Sequence, residues 1–241
     1  MTGNNIFLSA DWRKLALAQY EVDKEILLKY LPPFTELDDW QGKYYVSLVG
    51  FMFLNTKLKG FHIPFHGNFE EVNLRFYVKY KDETGVWKRG VVFVKEIVPK
   101  PAITFIANTV YKENYQTLPM KHCWITNNNE LFVEYAWKTK NWNTFSVTAN
   151  RNSEPIAIAS EEEFITEHYW GYTKIGSNIT SEYGVEHPRW EMYPVKDYKI
   201  DVDFERNYGI DFGFLSNAKP DSVMLAEGSA IYVKKGQKLK S

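Results

Sequence analysis

The chain has 241 residues, of which 44% are apolar and 17% aromatic, and its formal net charge is −1. That length can bury a substantial core, and the aromatic load points to a sheet-rich globular protein rather than a disordered one. Basic and acidic residues are interspersed, so no nucleic-acid surface is expected, and no apolar run approaches the roughly 20 residues of a membrane helix.

The single Cys123 cannot form an internal disulfide, which favours a reducing compartment. Met1-Thr2-Gly3-Asn4-Asn5 lacks the basic start and long apolar stretch of a signal peptide. A soluble cytoplasmic protein is the expectation.

In chain order, Leu15 to Val22 reads as a strand leading into Asp23, an N-cap for a helix carrying Ile26, Leu27, Tyr30 and Leu31 until Pro32-Pro33 stops it. Lys43 to Leu54 is apolar at nearly every position, as in a strand covered on both faces. Phe61 to Gly67 reads as an aromatic-rich loop. Phe69 to Val98 then reads as one long hairpin with Asp82-Glu83-Thr84-Gly85 as its loop.

Within Glu71 to Tyr80 the even positions are apolar and the odd ones are Glu71, Asn73, Arg75, Tyr77 and Lys79. Strict alternation marks a half-exposed strand, and this polar stripe suggests a barrel or curved sheet lined by charged side chains. If Lys81 faces Val86, Glu71 lies opposite Glu96, Arg75 opposite Val92, and Tyr77 covers Gly90. In that register Arg89 alternates to the far side with Trp87 and Val91.

Pro101 suits the first position of a helix with Ile103, Ile106, Ala107, Val110 and Tyr111 on one stripe, stopped at Asn114. Leu131–Lys138 and Phe145–Asn150 read as strands. Ser160 and Glu163 have capping-box spacing before a helix with Phe164, Ile165, His168, Tyr169 and Tyr172 on one face. Tyr183 to Asp201 and Ser222 to Lys234 read as strands, and Phe204 to Gly209 as a helical turn. With no repeat and no linker, one domain over 1–241 is the simpler reading.

The chemistry-bearing residues give few firm signals. His62 and His66 are interrupted by Pro64 and lack a carboxylate signature, so no metal site is expected. His168 reads as a hydrogen-bonded core residue. His187 and Trp190 flank Pro188-Arg189 in an extended segment that suggests a shaped rim. Cys123 follows His122, but neighbours in a strand point to opposite faces, so Cys123 reads as a small buried hydrophobe. Without a phosphate loop, a Gly-x-Ser-x-Gly, a Cys-x-x-Cys or a His-Glu-x-x-His, no cofactor is called for.

Several segments together resemble the YqjF-like family of bacterial proteins: Phe7–Arg13, Tyr45–Phe51, Phe69–Val78, Arg89–Pro99 and His187–Trp190. That family is similar in fold to acetoacetate decarboxylase. The resemblance implies an α+β protein, a large curved antiparallel sheet or barrel with a few peripheral helices around a polar cavity. Tyr20–Asp23 through Leu31–Phe34 resembles the decarboxylase's N-terminal strand, helix and proline corner, and Glu71 resembles the glutamate heading its cavity strand. The decarboxylase's lysine pair, one forming a Schiff base, would fall at Leu118-Pro119-Met120-Lys121, where Met120 has no amine and only Lys121 remains.

The expected function is binding of a small anionic or carbonyl-bearing organic ligand. Glu71, Asn73, Arg75 and Tyr77 would form one wall, with Lys121, His187 and Trp190 near the mouth and Arg75 as the anion clamp. Alternatively, Glu71 and Arg75 satisfy each other in a wet interior. Two further readings are acid–base or electrostatic chemistry by Glu71 and Lys121 on the same scaffold, and an interaction domain with a vestigial cavity. No nucleic-acid or membrane partner is expected, and homo-oligomerisation is left open.

Overall fold

The computed structural model describes residues 6–240; Met1–Asn5, the segment inspected for a signal peptide, lies outside them. The first half comprises β1 (Ile6–Glu21), α1 (Lys24–Leu28), β2 (Glu36–Leu37), β3 (Tyr45–Leu58), β4 (Phe61–His62), β5 (Phe69–Lys81), β6 (Trp87–Val98) and α2 (Pro101–Ile106). Next come β7 (Tyr115–Thr117), β8 (Met120–Thr126), β9 (Glu130–Lys138), β10 (Trp142–Asn150), β11 (Glu154–Pro155) and α3 (Glu161–Thr166). The chain closes with β12 (Trp170–Gly176), β13 (Ile179–Glu186), β14 (Glu191–Tyr193), β15 (Val195–Asp201), α4 (Phe204–Tyr208), β16 (Ser222–Lys234) and β17 (Gln237–Lys240).

The main sheet follows the order β16-β1-β3-β5-β6-β12-β13. It curls until β13 meets β16 again, through Val185–Val233 and Glu186–Tyr232. The seam is two residue pairs long, so the sheet is a strongly curved wall rather than an evenly sealed barrel. A second sheet, β15-β10-β9-β8, packs on its outside. Even residues of β5 (Val72, Leu74, Phe76, Val78) join Leu131, Val133, Tyr135 and Trp137 of β9 in the core between the sheets. The inner core holds Leu15, Leu17, Val49, Phe51, Tyr77, Val91 and Trp190.

β5 is therefore not half-exposed: its polar stripe is buried as deeply as its apolar one, because it faces an enclosed interior instead of solvent. β1 begins at Ile6, well before the expected Leu15, since its first half pairs with both β3 and β16. α1 is one short turn capped by Asp23, whose carboxylate accepts from the Glu25 N–H at 3.0 Å; Tyr30 and Leu31 lie beyond its end. Ser160 caps α3 as expected, but the helix stops at Thr166, leaving His168 on the link to β12 and Tyr172 within that strand. Tyr183 to Asp201 is three strands, not one.

The hairpin register differs from the expectation by one residue. Lys81 faces Trp87, Tyr77 faces Val91, and Arg75 faces Phe93. Gly90 consequently lies opposite Val78, and the ring that crowds it is Tyr172. A one-residue slip also reverses faces, so Arg89 shares the inner face with Val91 and Tyr77 instead of alternating away. Its Nε donates to Asp38 at 2.7 Å.

Gly90 is also where β12 joins β6 in parallel, as the partner of Trp170. A Cβ built there would lie 2.4 Å from the Trp170 carbonyl oxygen and 2.6 Å from the Tyr172 ring. Backbone cannot yield as a flexible side chain can, so Gly90→Ala should push β12 off the wall. A destabilisation of about 1–3 kcal/mol is expected in urea unfolding, with an unchanged m value.

Candidate functional site

Between Arg75 and Leu74 the two hairpin strands change register: Arg75 pairs with Phe93, but Leu74 pairs with Lys95 and Asn73 with Glu96. Val94 is the extra residue of a β-bulge, a device that re-aims the side chains beyond it. Without it, Lys95 would face Asn73 on the inner face. With it, Glu96 turns inward. The Asn114 side chain donates to the Val94 carbonyl at 2.8 Å, and the Asn114 carbonyl accepts from the Glu96 N–H at 3.0 Å. One asparagine thus satisfies both backbone groups that the bulge disturbs.

The same segment delivers the next two side chains. α2 opens with Pro101 and runs into a π-helical turn, Ala107–Tyr111, closed by Lys112 in the left-handed conformation (φ 60°). The left-handed residue ends the helix two positions before the expected Asn114. β7 then pairs in parallel with β6, setting Tyr115 beside Glu96. The Asn108 amide grips the Tyr115 peptide from both sides, at 2.8 and 3.0 Å.

The result is a cavity of about 140 Å³ with mostly apolar walls, among them Trp12, Phe51, Phe53, Phe93 and Trp190. Its polar groups fall into two sets. At one end Glu71, Glu96 and Glu113 are all buried. Glu71 accepts from Asn73 Nδ2 at 3.0 Å and from the Tyr115 hydroxyl at 3.1 Å. Glu113 accepts from the Thr173 hydroxyl at 2.6 Å and is hydrogen-bonded to Tyr183.

Burial pushes the carboxyls of Glu71 and Glu113 up to about 7, against the hydrogen bonds that favour their ionised forms. Glu96 is raised well above the carboxylate range, by burial first and then by the charges of Glu113 and Glu71. The Glu96 Oε2 and Asn73 Oδ1 atoms are buried without a hydrogen-bond partner among the described residues.

At the other end Arg75 lies over the Tyr77 ring, 5.7 Å from its centre, and its Nη2 makes a long 3.4 Å bond to the Ile165 carbonyl. Its Nε has no partner. Among the described residues no carboxylate lies within ion-pairing distance of Arg75, so it and Glu71 do not neutralise each other directly. Next to it His168 places Nε2 3.3 Å from Asp38 Oδ2 and leaves a buried Nδ1 unpartnered.

Burial lowers His168 to about 4, so it is neutral at physiological pH. Burial opposes the ionisation of Asp38, but hydrogen bonds from His168 and Arg89 hold its carboxyl well below the usual range.

Of the residues singled out from sequence, Glu71, Asn73, Arg75, His187 and Trp190 line this cavity together. His187 stacks on Trp190 with ring centres 4.3 Å apart, and Trp190 donates to Ser229 at 2.9 Å. Tyr77 shares their face but sends its hydroxyl to Ser47 at 2.6 Å, behind the lining.

Lys121 does not join them. It lies exposed on β8 of the outer sheet, its ammonium 4.8 Å from the Trp142 ring centre, because Leu118 to Lys121 leads away from the cavity into the second sheet. Among the described residues no lysine lines the cavity. Cys123, read as buried, is only partly so. Glu96, Glu113, Tyr115, His168 and Tyr183 were not among the expected site residues. Glu96 needed the bulge, β7 is too short to show a period, and His168 had shown only its core-packing side.

A family model described as an uncharacterized conserved protein, DUF2071, matches residues 9–230. The chain belongs to the DUF2071 family. Another similar protein is the uncharacterized protein YqjF of Bacillus subtilis, 27% identical over 184 residues, covering 74% of this chain and 72% of that one. Among solved structures the chain is similar in fold to acetoacetate decarboxylase from Legionella pneumophila. The TM-score is 0.64 at 12% identity, covering 97% and 87% of the two chains.

It is similar also to an acetoacetate decarboxylase-like enzyme from Sphingomonas wittichii RW1 (TM-score 0.63, 10% identity, covering 100% and 96%). A third is the enduracididine biosynthesis enzyme MppR, solved with pyruvate (0.62, 13%, covering 99% and 91%). At these identities the likeness establishes the fold of this DUF2071 member, an acetoacetate-decarboxylase-like sheet, as the sequence segments implied.

The three raised carboxyls tie stability to pH. A carboxyl protonated more readily in the folded state stabilises fully below its unfolded value of about 4.5, and that stability is lost as pH rises through about 7. His168 acts oppositely, but only below about 6.5, where the unfolded imidazole gains its proton. From pH 6.5 to 8 the glutamates therefore dominate. Thermal denaturation should show Tm falling across that interval, and Glu113→Gln should flatten the fall; a Tm that rises with pH there would contradict the assignment.

Proposed function

We propose that this cavity binds a small organic acid or carbonyl compound, with Arg75 as its anchor. The observation that carries the reading is the guanidinium itself. It is 9% exposed, walled by aromatic side chains, and, among the described residues, without a carboxylate partner. A buried charge in such a setting is costly unless something pairs with it, and a planar carboxylate matches its fork.

The volume supports the same reading, since a cavity of about 150 Å³ accommodates a ligand of roughly six heavy atoms. Space left between the aromatic rings favours a ligand over a vestigial cavity. MppR, of similar fold, has been solved with pyruvate, a small acid of this class. The lone cysteine fits a cytoplasmic setting, and among the described residues no helix is long and apolar enough to cross a membrane.

A thermal-shift screen of small carboxylates and oxo acids should give concentration-dependent stabilisation, which mass action requires of a ligand that binds only the folded state. For a ligand so found, Arg75→Met should weaken binding roughly ten- to a hundredfold by calorimetry, the cost of a lost buried charge-assisted contact. The exposed Arg151 is the control: Arg151→Met should change affinity by less than about threefold. Arg89 would be no control, because its guanidinium holds Asp38 beside His168. Equal losses at Arg75 and Arg151 would refute the anchor.

A second reading, acid–base catalysis on the bound ligand, is favoured by one observation. Glu71 and Glu113 are held near neutrality, where a carboxyl serves as donor or acceptor of a proton with least waste. Lys121 cannot be the electrostatic partner from the outer sheet, so that role falls to Arg75. Among the described residues no lysine lines the cavity to form a Schiff base. Borohydride treatment with acetoacetate or pyruvate should leave no adduct by mass spectrometry, and an adduct on a lysine would overturn this view.

A further inference from the structure

The end of the cavity away from Arg75 has its own chemistry, and it is the opposite one. Glu71 and Arg75 are four residues apart on one strand, about 13 Å along its axis. Around Glu71 acceptor oxygens outnumber the donors: three carboxyls and the Asn73 amide oxygen share the Asn73 Nδ2 group and the hydroxyls of Tyr115, Thr173 and Tyr183. The side chains of Asn73 and Glu96 are 1% and 2% exposed, and their Oδ1 and Oε2 atoms lack donors although they line an open space. They are also direct cross-strand partners, placed side by side by the bulge at Val94. Two buried acceptors without a donor are costly, and they turn towards the same volume.

We infer that the ligand is amphoteric: a primary ammonium or similar nitrogen donor seated between Asn73, Glu71 and Glu96, joined by a short chain to a carboxylate on Arg75. The inference rests on the reading of Arg75 as the anion anchor and adds the other half of the molecule. An ammonium carries three N–H donors, enough to reach both orphaned oxygens and one oxygen of Glu71. Its charge offsets the mutual repulsion of the three carboxyls, a role that protons take before it binds. Binding therefore expels protons. The chain between the two heads is short, because the cavity holds only about six or seven heavy atoms. Among the described residues no three His, Cys, Asp or Glu side chains are arranged to ligate one metal ion, which leaves a nitrogen cation as the better match.

The test compares probes of equal chain length on the full chain by calorimetry at pH 7: 3-aminopropanoate against butanoate, and 4-aminobutyrate against pentanoate and 4-oxopentanoate. At least one amino acid should bind more than about tenfold tighter than its plain carboxylate, the scale of a charge-assisted contact. Repeating the titration in buffers of different ionisation enthalpy should reveal net proton release. Glu96→Gln, which keeps the shape and removes the charge, should collapse the preference for the amino acid, and Glu113→Gln should reduce the proton release.

If plain carboxylates or the oxo acid bind as well as every amino acid, Arg75 stands as anchor and the amphoteric ligand falls. A proton shared between Glu96 and Asn73 then accounts for the two oxygens. If no probe binds, the anchor reading fails together with it.

Discussion

The bulge at Val94 decides what the cavity contains. Strand alternation is rigid: once β5 and β6 are paired, every inward residue of β6 follows from its neighbours. Above the bulge the inward set is Arg89, Val91 and Phe93; below it, the set is Glu96 and Val98. A hairpin continuing in the upper register would bring Lys95 inward beside Asn73 and send Glu96 to the outer core. The interior would then carry one more cation and one carboxyl fewer. One inserted residue, held by the Asn114 side chain, thus sets the sign of the field at one end of the cavity.

The supports around that bulge are layered. Outside the wall, Val92, Val94 and Ile97 are locked into the core against the second sheet, so β6 cannot slide to relieve its irregularity. Inside, Tyr115 reaches from β7 to Glu71, and its own peptide is fixed by Asn108 in the π-helical turn. The far end of the cavity is held separately, by the Asp38 carboxylate gathering Arg89, Lys79 and His168 at 2.7, 3.5 and 3.3 Å. Burial keeps His168 neutral, outweighing the hydrogen bond to Asp38, and the charges of Arg89 and Arg75 act in the same direction as burial. Arg75 is thus left as the uncompensated charge of that end.

Much of this was legible in the residues. The alternation of Glu71 to Tyr80 placed Glu71, Asn73, Arg75 and Tyr77 on one face, and the doubly apolar run at Lys43 to Leu54 marked a strand covered on both sides. Ser160 with Glu163, Asp23, and the Asp82–Gly85 loop were read from local hydrogen-bonding chemistry, which is local in the structure too. The failures share a cause. Register is a long-range quantity, so the slip that exchanged Gly90 for Val91 opposite Tyr77, and with it the face of Arg89, had no local signal.

The same holds for Lys121, whose strand belongs to another sheet, and for Glu113 and Tyr183, which come together from segments 70 residues apart in the chain. His168 had both roles at once: packed in the core as expected, and lining the cavity with its free nitrogen.

Stability alone gives no reason for such an interior. Burying Glu71, Glu96 and Glu113 together costs several kcal/mol of desolvation that apolar side chains of the same size would avoid. Their hydrogen bonds return only part of it, since Glu96 and Asn73 each keep an oxygen unpaired. The arginine at the other end is equally expensive and is not spent on neutralising the glutamates. Had the fold needed only a filled barrel, the cheapest solution would have paired the two charges, four residues apart on one strand and on one face. Instead the wall holds them apart, each facing the same small volume. Charges kept separate at a cost to the fold are what the proposed ligand, with one group for each end, requires of the wall.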